Sequence, residues 1–451
     1  MRQQTLKRVL NRFDAAVLGF GAIIGWGWII LAGTWVSNAG VAGASLAFLV
    51  GAVAIIVIGL TYAELSSAMP FAGGEHAYTE RAFGKAASFI CTWALIFGYV
   101  AVVAFEAIAL PVAVVYLAPE FKAFPLWDVA GYTVHASEAA LGAVAAIVIT
   151  VLNIWGVRIA VRAQASVVLI LLAAAGVLIA GGLTHLDRVP ANLDVWRGFP
   201  GVFAVVIMVP FLFVGFDVIP QSAEEIAGPK GEIGRALILS IVLAVAYYLI
   251  IVFSVGLAPL DPNAVDIATA DAAGAWWRSD KAAAFVIIAG IGGVLTSWNS
   301  FLIGGSRALF AMARAQQLPA FLAVVHPRFG TPWAAIALVG GVSAFAPLLG
   351  RNALVWIVNA GGFGITIAYA FVAAAFVALR RREPDLARPY RAPGGVYAGA
   401  AAFILAAGIF ALYLPWSPSA LAWPAEWGLI AGWGALGFFF WLLRPTRSRN
   451  Q

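Results

Sequence analysis

Charge is the scarcest property of this sequence. Asp, Glu, Lys and Arg make up 11% of its 451 residues, too few to cover a water-soluble chain of that length. Cysteine is almost missing. Cys91 stands alone, which excludes a disulfide framework and a cysteine-held metal. The four histidines, His76, His135, His185 and His326, are scattered without His-x-x-x-His spacing and read as structural or solvated. No G-x-x-x-x-G-K-[ST] loop occurs, so the phosphate cradle of an ATP-driven pump is excluded. Low-complexity tracts are absent, and the segments between apolar blocks are too short to hold a soluble domain. No cofactor and no nucleic-acid partner is expected.

What the sequence has in abundance is apolar length. Hydrophobic residues make up 63% of the chain, and the mean hydropathy is +0.95. They fall in blocks of about 20, the length that crosses a hydrocarbon core of ~30 Å. Twelve spans are expected, at roughly 14–38, 43–68, 84–117, 139–156, 160–183, 199–222, 235–257, 281–313, 333–349, 352–379, 396–414 and 424–443. A β-barrel strand would alternate apolar and polar residues. These blocks are apolar all round, so the fold class is an all-α membrane protein in contact with membrane lipids. The start, Met1 to Arg12, is short and basic, and no small-residue cleavage site follows the first block. That block is therefore expected to stay as a helix.

Orientation follows from Lys and Arg in the short loops. With the N-terminus in the cytoplasm, only Lys122, Arg188, Arg197, Arg278, Lys281 and Arg351 fall outside, and the other 21 of 27 fall inside. Both termini are expected in the cytoplasm of a cell inner (plasma) membrane. The arginine runs read as topology signals. The outer loop 258–280, with Asp261, Asp266, Asp271 and Asp280, reads as solvated and acidic.

Two spans carry helix-weakening residues. Span one contains Gly19-Phe-Gly21-Ala-Ile-Ile-Gly25-Trp-Gly27. Gly21 and Gly25 fit a close-packing small-xxx-small face; the functional alternative is an unwound segment facing a cavity, and span six decides between them. Span six reads Met208-Val-Pro210-Phe-Leu-Phe-Val-Gly215-Phe-Asp217-Val-Ile-Pro220. An ionisable residue at membrane depth is costly unless satisfied, and Asp217 suits the N-cap of a second half-helix. The interruptions stand five spans apart, as in inverted-repeat transporters. The expected organisation is a single transmembrane domain. Repeat one runs over about 14–183, repeat two over about 199–379, and two extra helices over about 396–443.

Gly21-Ala-Ile-Ile-Gly25-Trp-Gly27 resembles the G-S-I-I-G-S-G loop of the amino acid–polyamine–organocation superfamily. Pro70-Phe-Ala-Gly73-Gly74-Glu-His-Ala-Tyr78 resembles its P-x-x-G-G-x-Y signature. Gly215-Phe-Asp217, then Ala223-Glu224-Glu225 and Pro229, is similar to G-F-D…A-E-E…P. Ser306-Arg307 to Arg314 with Leu318-Pro319, and Arg388-Pro389-Tyr390-Arg391-Ala-Pro393-Gly394, resemble two further loops in the right order. Together they run from residue 19 to 394. The resemblance implies a leucine-transporter-type 5+5 inverted repeat with broken helices one and six. It implies a secondary active transporter of amino acids or related organic amines. The alternatives are a membrane sensor or enzyme, or an uncoupled amine channel.

Site residues follow from the same resemblance. A substrate carboxylate would meet amides at Ile24, Gly25, Trp26 and Gly27. Its ammonium would meet carbonyls of Phe211 to Val214 and Ile23, near Gly215 and Asp217, with Phe213, Phe216 and Trp26 closing the cavity. Trp26 replaces a small residue, and would either shrink the pocket or point into lipid. Some members carry a helix-three glutamate where this chain has Gly98. Here Glu106 lies two turns further on, and would pair with a neighbour or approach the outer vestibule. Glu224 and Glu225 suit an inner gate or loop packing. Proton-coupled members carry a helix-five lysine at the place of Leu171, and no Lys or Arg lies between Arg162 and Arg188. Thr296, Ser297 and Ser300, with helix-one carbonyls near Ala22 or Gly25, would suit Na+, or would bond back to their own helix. Glu106 or Asp217 would serve H+. No oligomeric state is assigned.

Overall fold

The computed structural model describes residues 12–71, 73–156, 158–221, 223, 226, 229–260 and 265–443. Glu224, Glu225, Asp261 and the basic residues of the first eleven and last eight positions lie outside them. Helix α1 (Arg12–Ile23) stops at the glycine-rich run and α2 (Gly27–Ile30) resumes it. Then follow α3 (Ala32–Ala68), interrupted at Gly40 (φ 73°), α4 (Glu75–Phe83) and α5 (Lys85–Leu117). A hairpin, β1 (Pro125–Val129) with β2 (Tyr132–His135), precedes α6 (Ala136–Trp155) and α7 (Arg158–Thr184). The sixth span is in three pieces, α8 (Phe199–Val206), α9 (Val209–Phe213) and α10 (Val218–Gln221). After them come α11 (Gly231–Gly256), α12 (Ala268–Trp277), α13 (Asp280–Arg314) and α14 (Trp333–Phe345). The chain ends in α15 (Ala353–Arg382), α16 (Gly395–Leu412) and α17 (Ala425–Leu443).

Among the described residues, eleven segments are long and apolar enough to cross a membrane. The segment expected at 333–349 is helical but short. It is α14 continued by a 3-10 turn over Ala346–Leu349, because Pro347 has no N–H to continue the α ladder. Burial separates core spans from peripheral ones. The broken first and sixth spans are buried over most of their length, while α16 and α17 are mostly exposed. α3 packs on α11, and α5 packs on both α13 and α15. Leu49, Val53, Ile147, Leu169, Ile288 and Phe438 are exposed on the outer surface, a face suited to lipid tails.

The end of the molecule that carries α4 holds a buried ion cluster. Glu64, fully buried near the end of α3, pairs with Arg380 of α15 and with Arg388 at 3.0 Å. It also accepts the Ala392 amide at 2.8 Å. Arg380 at the end of α15 and Arg388 just after it therefore lock the Arg388–Gly394 loop onto α3.

The opposite end departs from expectation. The hairpin lies between the third and fourth expected spans, where no element was expected. The acidic loop is not freely solvated either: α12 buries Ala268, Thr269, Ala272 and Trp276. Asp271 accepts the Tyr116 hydroxyl at 2.6 Å, Asp266 pairs with Arg351, and Thr269 donates to the Trp28 carbonyl at 2.8 Å. These bonds seat α12 over the second half of the first span.

Candidate substrate site

The two interruptions face each other. At the first, the Gly25 amide folds back to the Ile23 carbonyl at 3.2 Å, while Ile24 still bonds to Phe20 at 2.9 Å. The carbonyls of Ile24 and Gly25 accept no hydrogen bond among the described residues. At the second, Gly215 has φ 129°, a conformation costly for a residue with a β-carbon. A β-carbon there would lie 2.7 Å from the Ile23 amide nitrogen, so glycine is what lets the two broken helices touch. Tyr248 of α11 ties them together, donating to Ile23 at 3.2 Å and to Leu212 at 2.9 Å.

Between the breaks lies a narrow cavity of about 20 Å³. Ala22, Ile23, Gly25 and Gly27 line it from the first span, and Phe211, Leu212 and Val214 from the sixth. Val102, Phe105 and Glu106 of α5 form another wall, and Tyr248, Ser297 and Phe301 complete it. It is largely apolar with a few convergent polar groups, as small-ligand sites are.

Other expected residues lie around it. The Trp26 ring is fully buried against Gly290 of α13 and does not reach lipid. Phe213 packs on Tyr248, with ring centres 5.1 Å apart, behind the cavity. Phe216 stacks on Tyr369 at 5.5 Å. Asp217 does not cap the next half-helix in the expected way. Its Oδ1 accepts the Gly215 amide at 2.9 Å and closes the turn at the break. Glu106 reaches the first break directly, with its Oε1 3.4 Å from the Trp26 amide. Of the four amides expected to meet a carboxylate, those of Ile24, Gly25 and Trp26 thus already have acceptors.

The coupling candidates divide. Thr296 donates to Gly21 at 3.2 Å and to Gly293 of its own helix at 3.0 Å. Ser300 bonds back to Thr296 at 2.8 Å. Ser297 faces Gly25, where a β-carbon would lie 2.8 Å from its hydroxyl. Leu171 is fully buried against Gly293.

Glu75, which carried no expectation of its own, is buried beneath this region and accepts a hydrogen bond from Gln221 of α10. Burial first, and then the charge of Asp217, push the Glu75 carboxyl well above the usual carboxylate range. Its position just after a Gly-Gly pair, rather than on an apolar helix, gave no signal of burial.

The profile of the amino acid permease family matches residues 10–436. The chain belongs to the amino acid permease family. This permease is 30% identical to the branched-chain amino acid permease BcaP of Bacillus subtilis, over 87% of this chain and 85% of that one. It is 27% identical to the methylthioribose transporter of the same organism, over 87% and 85%. It is also 27% identical to its aspartate–proton symporter, over 90% and 79%. The permease is a secondary transporter of the amino acid–polyamine–organocation superfamily, not an enzyme.

Proposed function

We propose that this permease carries an amino acid or a related organic amine through the cavity between its two helix breaks. Transport proceeds by alternating access of two inverted repeats, about 14–183 and 199–379, with α14 counted as a short twelfth span. The observation that carries this reading is the cavity itself. It is lined by both interruptions, the place where transporters built on broken helices bind substrate. The carbonyls of Phe211, Phe213 and Val214 accept no hydrogen bond among the described residues, which suits them to an ammonium group. Both termini lie in the cytoplasm of the inner membrane, in keeping with the lysine and arginine asymmetry.

The coupling ion in this proposal is sodium. The place of a β-carbon on Gly293 is 3.0 Å from the Ile24 carbonyl oxygen and 2.9 Å from that of Gly25. These unpaired oxygens and the Thr296 hydroxyl gather where Leu171 offers no ammonium. Uptake of labelled amino acids and amines into proteoliposomes tests both parts. Accumulation should require sodium, persist with a protonophore, and fall about tenfold or more in the double variant Thr296→Ala, Ser300→Ala. Sodium-independent uptake, unaltered by the double variant, would remove the sodium site and leave the transport reading standing. No uptake of any amino acid or amine would remove the transport reading itself.

A further inference from the structure

Glu106 sits where a substrate carboxylate was expected. It is 1% exposed. Its Oε1 is the nearest acceptor to the Trp26 amide and fills the volume a side chain on Gly25 would need. Its Oε2 accepts no hydrogen bond among the described residues, and the residue lines the cavity. No Lys, Arg or His among the described residues forms an ion pair with it. Among the described residues, the only other titratable group lining the cavity is the Tyr248 hydroxyl, which is shared between two carbonyls. A buried carboxylate with no cation beside it is expensive; in the empty site a proton meets that cost, and a cationic ligand can take the proton's place.

The surroundings specify that cation. Phe105, Phe211, Phe301 and Tyr248 present aromatic surface to the cavity, which favours an organic ammonium. The Phe211 and Val214 carbonyls supply further acceptors. An α-amino acid meets a conflict in the same space. Its ammonium suits Glu106, but its own carboxylate would need the amide that Glu106 already holds, and two like charges repel at that distance.

We propose that Glu106 is the specificity-determining anion of this site. It stands in for a substrate carboxylate, so that the preferred substrate is a small organic amine with an ammonium group and no α-carboxylate. This rests on the transport reading above. The cavity is only about 20 Å³ in this state, so the site has to widen to admit even a compact amine.

Calorimetric binding to the purified full-length protein tests the proposal with matched pairs: isoamylamine against leucine, phenethylamine against phenylalanine, and cadaverine against lysine. In the wild type at least one amine should bind about tenfold or more tighter than its parent amino acid, a difference of about 1.4 kcal/mol or more. Glu106→Gln should weaken that amine about tenfold or more and shrink or reverse the ratio. Glu106→Asp should keep the preference at lower affinity. The wild-type ratio decides even where a variant does not fold. Tighter binding of every amino acid than of its amine overturns the proposal and leaves the transport reading intact. So does amino acid binding that strengthens as pH falls and loses that dependence in Glu106→Gln, because Glu106 would then donate a proton to the substrate carboxylate. An unchanged ratio in folded Glu106→Gln would show that the residue only packs. Failure of both members of every pair to bind, together with failure of uptake, would remove the transport reading as well.

Discussion

At the scale of single residues, the site is made by what is small and by what is turned inward. Gly215 is the clearest case, because its positive φ and its contact with Ile23 both exclude a β-carbon. Gly215→Val is expected to lower stability by about 1–3 kcal/mol from backbone strain alone, and to abolish uptake at any yield of folded protein. Asp217 makes a separable prediction. Asn keeps an acceptor for the Gly215 amide, whereas Leu leaves that buried amide unpaired, at a cost of about 1–3 kcal/mol. Asp217→Asn should retain partial uptake and Asp217→Leu should lose it. Equal loss in both, at normal folded yield, would assign the requirement to the charge.

Glu75 carries a pH dependence. Its folded-state pKa lies above its unfolded value near 4.5. The folded protein therefore holds the proton more tightly, and stability declines as pH rises from about 4.5 toward the folded value. Asp217, Tyr62, Tyr78, Cys91, Tyr99 and Tyr369 are the titratable groups around it. Glu75→Gln removes the ionisation, so its melting temperature relative to wild type should climb between pH 5 and pH 9. Parallel melting curves across that range would contradict the assignment.

At the scale of elements, the sequence was legible where physics leaves long marks. Blocks of 20 apolar residues announce spans, and Gly25, Pro210 and Gly215 announce interruptions, because each weakens the helical ladder locally. The hairpin at 125–135 and helix α12 were not legible. Both are short, sit in the connections between spans, and are held by distant partners such as Asn352 on Ala130 and Tyr116 on Asp271. The target of Glu106 was equally hidden. It is 80 residues from Trp26 in sequence, and no local pattern tells which way a helical carboxylate points. The same holds for Glu64, 316 residues before Arg380. Removing one partner of a buried ion cluster costs about 3–5 kcal/mol. Glu64→Gln should therefore lower the melting temperature sharply in detergent. A shift within error would mean that the loop after α15 docks without it.

At the scale of the whole molecule, the two ends are fastened differently. One is held by the Glu64 cluster and by the Arg81–Glu383 pair, in which Arg81 holds the Glu383 carboxyl below its usual range. The other is held by α12 seated on Trp28 and Tyr116. A molecule that opens to one side at a time has to release one set while keeping the other. Cysteine labelling fixes which end faces the cytoplasm. A cysteine at Asp266 should react from outside intact cells and one at Ser448 should not; the reverse pattern would invert the proposed orientation. The central claim is that substrate sits between the two helix breaks. It is tested most directly by a thermal-shift screen of amino acids and amines on wild type and on Gly25→Val, with folding verified by gel filtration. A β-carbon at Gly25 would enter the space of the Glu106 carboxylate and crowd Ser297. At least one ligand should stabilise the wild type and leave Gly25→Val unmoved. Equal stabilisation of both proteins by the same ligand would place the substrate elsewhere.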